Sequence, residues 1–101
     1  MPAYWVARSK INDPVAYKRY TDLVPGIIAR HGGKILSRGA DFKILEGPEK
    51  FERFVIVEFS TLAAGVACFE SAEYQAAAAH RRKDGAGEVE LVMLGAGDGT
   101  K

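Results

Sequence analysis

The chain has 101 residues and carries 14 lysines and arginines against 13 aspartates and glutamates, a formal net charge of +1. That length makes one domain with room for a core, and the charge balance gives no general electrostatic case for nucleic acid or an anionic membrane as partner. No apolar stretch is long enough to span a bilayer, and the first residues lack a basic region followed by an apolar signal segment, so the cytoplasm is the expected location.

In chain order, a first strand is predicted from Ala3 to Ser9, with Tyr4-Trp5-Val6-Ala7 as a near-continuous apolar run. Asp13 then reads as a helix N-cap and Pro14 as the first helical residue, where a missing N–H costs nothing. The helix that follows puts Tyr17, Tyr20, Val24, Ile27 and His31 on one face by their spacing of three or four. Pro25 falls inside it, removes one backbone hydrogen bond, and is expected to bend the helix and open space beneath. Gly32-Gly33 ends it, since glycine takes up the left-handed C-cap geometry without steric cost.

Lys34 to Arg38 is the second predicted strand, with Gly39 as a break or bulge and Phe42-Lys43-Ile44-Leu45 as a bent extension. Glu46 to Lys50 is a turn, and Phe54 to Phe59 a third strand. Ser60 or Thr61 caps the next helix, with Leu62, Val66 and Phe69 as its expected inner face. Ser71 recaps a continuation, Ala72 to Arg82, whose four consecutive alanines favour helix and whose inner side carries Tyr74, Ala77, Ala78 and Arg81. Asp84 to Gly87 reads as a hinge, and Glu88 to Met93 as the last strand. The expected domain is 1–94, followed by a tail over 95–101.

This β-α-β-β-α-β order defines an α+β, ferredoxin-like fold: a four-stranded antiparallel sheet with helices on one face. A strand with one wet face alternates apolar and polar residues. Tyr4-Trp5-Val6-Ala7 and Phe54-Val55-Ile56-Val57 do not alternate, so both sheet faces are expected to be covered. Helices cover one face, and a second copy of the chain is the expected cover for the other. Two sheets packed in that way make a homodimer with a barrel-like centre.

Cys68 is the only cysteine, which rules out an intrachain disulfide and a cysteine-based structural metal site. Its apolar helical setting reads as a buried small side chain. His31 and His80 lack metal-ligand spacing, so no metal is expected. The His80-Arg81-Arg82-Lys83 cluster reads as cations at the negative end of a helix dipole.

The candidate ligand-binding residues are Tyr17, Tyr20, His31, Arg38 and Glu58. Glu58 lies in an otherwise apolar strand, where an unpaired carboxylate is costly. It is expected to pair with Arg38, as a structural ion pair or as a pocket acid or base, with Arg8 and Arg53 as other partners. Tyr17 and Tyr20 read either as core residues with bonded hydroxyls or as the lining of a cavity under the first helix. His31 reads either as part of that lining or as a capping cation at the helix end.

Several motifs together resemble a known family. Tyr4-Trp5-Val6-Ala7-Arg8, Asp13-Pro14, Tyr17, Tyr20, Pro25, Gly32-Gly33, Arg38-Gly39, Glu46-Gly47, Arg53, Glu58-Phe59, Ser71 and Tyr74 fall in the order seen in an uncharacterised bacterial family. This family is the domain of unknown function numbered thirteen-thirty, of the dimeric α/β-barrel superfamily. Ala72 stands where that family usually has proline, and Cys68-Phe69 where it usually has Trp-Tyr. The resemblance implies a ferredoxin-like homodimer. It also implies a substrate cavity between helix and sheet, as in the superfamily's cofactor-independent monooxygenases and muconolactone-isomerase-like enzymes. The resemblance does not supply an activity. The residues leave open a binder of a small, partly apolar molecule in that pocket, a small monooxygenase-like or isomerase-like enzyme needing no cofactor, and a non-catalytic homodimer whose polar interior residues only specify assembly.

Overall fold

The computed structural model describes residues 1–39 and 41–97. Strand β1 is Ala3–Ile11, helix α1 Pro14–Arg30, strand β2 Lys34–Gly39 and strand β3 Arg53–Phe59. Helix α2 follows at Leu62–Glu70, α3 at Ala72–Arg82, a short 3-10 turn at Lys83–Gly85, and strand β4 at Gly87–Gly95. The four strands form one antiparallel sheet in the order β2-β3-β1-β4. This is the expected ferredoxin-like α+β arrangement.

Local chemistry sets the boundaries. The Asp13 carboxylate accepts hydrogen bonds from the Val15 and Ala16 amides, satisfying two of the free donors at the start of α1, and Pro14 occupies the first position. Thr61 caps α2 and Ser71 caps α3 in the same way. Gly32 ends α1 at φ 79°, a backbone region that side chains disfavour. Gly33 follows for a different reason. A Cβ there would lie 2.6 Å from Ile28 Cγ2 and 2.8 Å from the Phe59 ring, so the bare backbone lets the helix end sit against β3.

The core lies between the sheet and the helices. Trp5 from β1, Val57 and Phe59 from β3, Cys68 from α2, and Tyr74, Ala77 and Ala78 from α3 are buried there. Tyr17, Tyr20, Val24, Ile27 and Ile28 close it from α1. The expected inner side of α3, Tyr74, Ala77, Ala78 and Arg81, is the buried one. Small alanines let α1 approach α3 closely. Cys68 is fully buried, and that burial raises its thiol pKa to about 11.

Several local expectations need correction. The inner face of α2 is built on Gly65 and Cys68, while Leu62 and Val66 are exposed. Gly65 faces Phe59 and Met93, and a Cβ there would meet the flexible end of the Met93 side chain, so α2 lies close to the sheet at this point. Apolarity does not mark a buried side here, because every position of this short helix except Glu70 is small or apolar. Gly39 is the end of β2, at φ 122°, as the break alternative has it, while the bulge falls between Ile35 and Ser37, where the register with β3 shifts. Phe42 to Leu45 is not a strand. It is a loop whose Phe42 ring rests 4.7 Å from that of Phe54. Strand β4 runs to Gly95, so only part of the expected tail remains, and residues 98–101 lie outside those described.

The second face of the sheet carries no helix. Register places Val6 between Ile56 and Val92, and Tyr4 between Glu58 and Leu94. Val6 and Ile56 are about 40% exposed, and Val92 and Leu94 nearly 60%. The absence of alternation in β1 and β3 therefore corresponds to one face buried under helices and one apolar face left bare.

Gly33→Ala is expected to destabilise the fold by about 1–3 kcal/mol, because the added methyl overpacks the Ile28 and Phe59 contact. Chemical denaturation followed by circular dichroism measures this, and a wild-type midpoint would contradict the packing role.

Candidate functional site

A cavity of about 40 Å³ lies between α1 and the sheet. Tyr17, Tyr20 and Pro25 line it from α1, Ser9 from β1, Arg38 from β2 and Arg53 from β3. Helix α1 continues through Pro25 to Arg30 as one element, although the proline ring supplies no N–H to the preceding turn. An apolar cavity of about 150 Å³ takes up benzene, so this smaller space holds water or a few heavy atoms. Its upper wall is aromatic and aliphatic, and its polar atoms come from the hydroxyls and the two guanidinium groups.

Each polar element has a local cause. Strand alternation aims Trp5, Ala7 and Ser9 at the helices. Tyr17, one turn into α1, lies over Ser9, and its hydroxyl donates to Ser9 Oγ at 2.8 Å. The Tyr17 ring packs on Gly87, where a Cβ would come within 2.6 Å. Arg38 pairs with Val55 across the β2–β3 ladder, and Arg53 lies two residues before Val55 on the same face. Arg53 also stands opposite Ser9 of β1. None of the ion pairs among the described residues includes Arg38 or Arg53.

Behind the cavity, the Tyr20 and Tyr74 hydroxyls share a hydrogen bond of 2.7 Å. Arg81 Nη2 donates to Tyr74 at 3.4 Å, and the Arg81 guanidinium lies 5.0 Å from the centre of the Tyr20 ring. Burial pushes the Tyr20 phenol well above its ordinary pKa, with Tyr74 adding to the effect. For Arg81, burial acts to lower the pKa, but the Tyr74 and Tyr20 hydroxyls outweigh it and the net shift is upward. The pair is thus a neutral Tyr20 beside a charged Arg81.

The proposed pairing of Glu58 with Arg38 does not form. Arg38 faces the helices, whereas Glu58 stands on the bare face between Lys34 and Tyr4. The register shift after Ile35 is the physical reason, because it sets Arg38 opposite Val55 and so on the other side of the sheet. Glu58 is half-buried without an ion pair among the described residues. Arg8, the other suggested partner, instead binds Glu90 at 2.7 Å and stacks over Phe51.

His31 also leaves the candidate cluster. It is the C-cap of α1, and its Nε2 lies 2.9 Å from Glu73 Oε1, while Arg30 reaches the other oxygen of the same carboxylate at 2.8 Å. The hydrogen bond from Arg30, joined by that from His31, holds the Glu73 carboxyl below its ordinary pKa of 4.5. His31 thus stands at the helix end, as the capping alternative places it, and Glu73 is the partner of its side chain that spacing alone did not reveal. Of the five candidates, the structure gathers Tyr17, Tyr20 and Arg38 at one cavity and leaves His31 and Glu58 elsewhere.

Ser9 and Arg53 also line the cavity, and no motif in the chain singles out Ser9. Alternation from Trp5 was the available signal. Arg81 was assigned to the inner side of its helix, yet the charge of its neighbours led to a helix-dipole reading. Its spacing of four from Ala77 and seven from Tyr74 was the better guide. No group of three or more metal-ligating side chains occurs among the described residues.

A split βαβ sheet with one bare face and a cavity under its first helix defines the class as a ferredoxin-like α+β protein. Residues 2–94 match the family model described as a domain of unknown function, DUF1330, and the chain belongs to that family. Curated proteins give no match. Among solved structures, a protein of unknown function from Rhodopseudomonas palustris is 24% identical with a TM-score of 0.69, over 92% of this chain and 80% of that one. A dimeric ferredoxin-like protein of unknown function from Jannaschia sp. CCS1 is 15% identical, TM-score 0.69, over 94% and 99% of the two chains. SnoaB, a cofactor-independent oxygenase from Streptomyces nogalater, is 14% identical, TM-score 0.63, over 94% and 92%.

Since its folded pKa is depressed, Glu73 contributes stability that is present above the ordinary value of 4.5 and lost as pH falls through the lower folded value. Glu73→Gln is expected to be less stable than wild type at neutral pH, with the difference closing in acid. Thermal melts from pH 7 to pH 3 test the sign, and a difference that grows towards acid would contradict it.

Proposed function

We propose that this chain is a homodimeric binding protein that receives a small, partly apolar molecule in the cavity between α1 and the sheet. The observation that carries the reading is the composition of that cavity. Aromatic and aliphatic walls meet a Tyr17–Ser9 hydroxyl pair and the Arg38 and Arg53 side chains, neither in an ion pair among the described residues, on one side of one sheet. Pockets that orient small ligands combine such walls with a few placed polar groups. The cavity's volume favours a ligand of a few heavy atoms, or a larger one admitted as α1 moves outward at Pro25.

The second copy follows from the bare sheet face. Ile56, Val6 and Val92 form an apolar row across three strands, and burying it against its own image covers the sheet face that carries no helix among the described residues. Face-to-face packing of that kind makes a dimeric α/β barrel. Solved relatives from Jannaschia and from Bacteroides fragilis are described as dimeric, which supports the same assembly here.

The alternative is a cofactor-independent enzyme, which the resemblance to SnoaB supports by fold alone. Proton transfer at neutral pH works best with a group whose pKa lies near 7. The described cavity lining contains tyrosines, hydroxyls and arginines but no carboxylate or histidine. Tyr20, the phenol in the aromatic pair, is shifted away from that range. Binding is therefore the better supported reading.

Two measurements test it. Sedimentation at micromolar concentration is expected to show a dimer with an interface of roughly 2,000 Å² or more in total, and a stable monomer would overturn the assembly. NMR titration with two- to four-carbon acids, amides and alcohols is expected to shift the Tyr17 and Tyr20 ring signals. Ala7→Val, which fills the cavity from the sheet side, is expected to abolish those shifts and leave the dimer intact. Shifts that survive the substitution would place binding elsewhere.

A further inference from the structure

On the far side of Arg81 from the α1 cavity, a second and larger space opens between the helices and β4. This groove measures about 410 Å³ and is walled by Val66, Phe69, Val89, Leu91 and Met93, with Arg81 and Arg82 as its charged members. Its volume falls within the ~300–1,000 Å³ of ordinary small-molecule sites, about ten times that of the α1 cavity. Both charges in its lining are positive. The two glutamates of β4, Glu88 and Glu90, alternate with Val89 and Leu91 and so project to the opposite face of the sheet.

Arg81 is the unusual member. It is only 5% exposed, yet none of the ion pairs among the described residues includes it. Its hydrogen-bond partner is the Tyr74 hydroxyl, at a long 3.4 Å, and its buried Nε has no partner among the described residues. Buried arginines are ordinarily paired, because a desolvated, uncompensated charge is strongly unfavourable. Arg82 is held at the rim by a 2.7 Å hydrogen bond to Gln75. An apolar trough with Arg81 and Arg82 in its lining, and with no carboxylate paired to Arg81 among the described residues, complements one chemistry, an apolar chain with an anionic head.

We propose that the groove between α2, α3 and β4 is a binding site for a medium-chain carboxylate, with the carboxylate paired to Arg81 and the chain lying against Phe69, Leu91 and Met93. The planar fork of arginine suits a carboxylate better than a point cation does, and the flexible Met93 thioether lets the wall adapt to the chain. This site is separate from the α1 cavity and does not depend on the reading given for it.

The test is calorimetric titration of the full chain with octanoate and with its neutral isostere octanamide, together with the Arg81 Nε–Hε signal in a nitrogen-15 correlation spectrum. Octanoate is expected to bind at least tenfold more tightly than octanamide and to shift the Arg81 signal. Val66→Trp, which fills the groove from an exposed position, is expected to abolish binding of both. Arg81→Met is expected to remove the preference for the acid while retaining the weaker binding of the amide. Ala7→Val, in the other cavity, is expected to change neither. Equal affinity for acid and amide, an unmoved Arg81 signal, or undiminished binding to Val66→Trp would each overturn the proposal. If Arg81→Met does not fold, the wild-type Arg81 signal and Val66→Trp still decide it.

Discussion

Tyr74 is the joint on which the two layers of this protein depend. Its ring meets Trp5 of the sheet edge-on, with centroids 5.1 Å apart, and lies 5.4 Å from that of Phe69 on α2. Its hydroxyl meets Tyr20 of α1, and Arg81 of its own helix reaches the same oxygen. One fully buried residue thus links β1, α1, α2 and the end of α3. A phenol suits the task because its ring supplies apolar area while its hydroxyl satisfies two neighbours that would otherwise be buried without partners.

The consequence is a polar line running through an otherwise apolar layer. Tyr20 separates the small cavity under α1 from the buried guanidinium behind it. A neutral phenol and a charged arginine are packed together without a carboxylate, so the electrostatics of the interior are biased towards anions on both sides of the tyrosine pair. On the sheet, Arg38 and Arg53 lie on the helix side, while the bare face carries both signs, with Glu58, Glu88 and Glu90 opposite Lys34, Lys10 and Arg8.

Elements with a single dominant signal were legible in the sequence. Asp13-Pro14 marked the start of α1 because capping and proline geometry act locally, and the stripe Tyr74, Ala77, Ala78, Arg81 emerged from helical period alone. The bare apolar face was visible as missing alternation. What failed depended on contacts made at a distance. The buried side of α2 depends on its contacts with Phe59 and Met93 across the layer, which Gly65 faces and which no period within the helix encodes. The separation of Arg38 from Glu58 is set by one extra residue in β2, and a slip of one position moves a side chain to the opposite face. His31 shared the stripe of Tyr17 and Tyr20, but it sits at the helix end, where Glu73 of another helix reaches it.

The central position of β1 has a consequence for how the protein is made. Its partners are β3 on one side and β4 on the other, so the first strand to be synthesised is the last to be completed. Until Gly87–Gly95 has left the ribosome, one long hydrogen-bonding edge of β1 has no mate, beside the apolar run Tyr4-Trp5-Val6-Ala7. Pairings so distant in sequence close slowly, because the chain between them must first be ordered. Unpaired strand edges on partly folded chains are also a route to aggregation. The same strand that organises the finished sheet is thus the segment of the nascent chain with the greatest need for protection by chaperones.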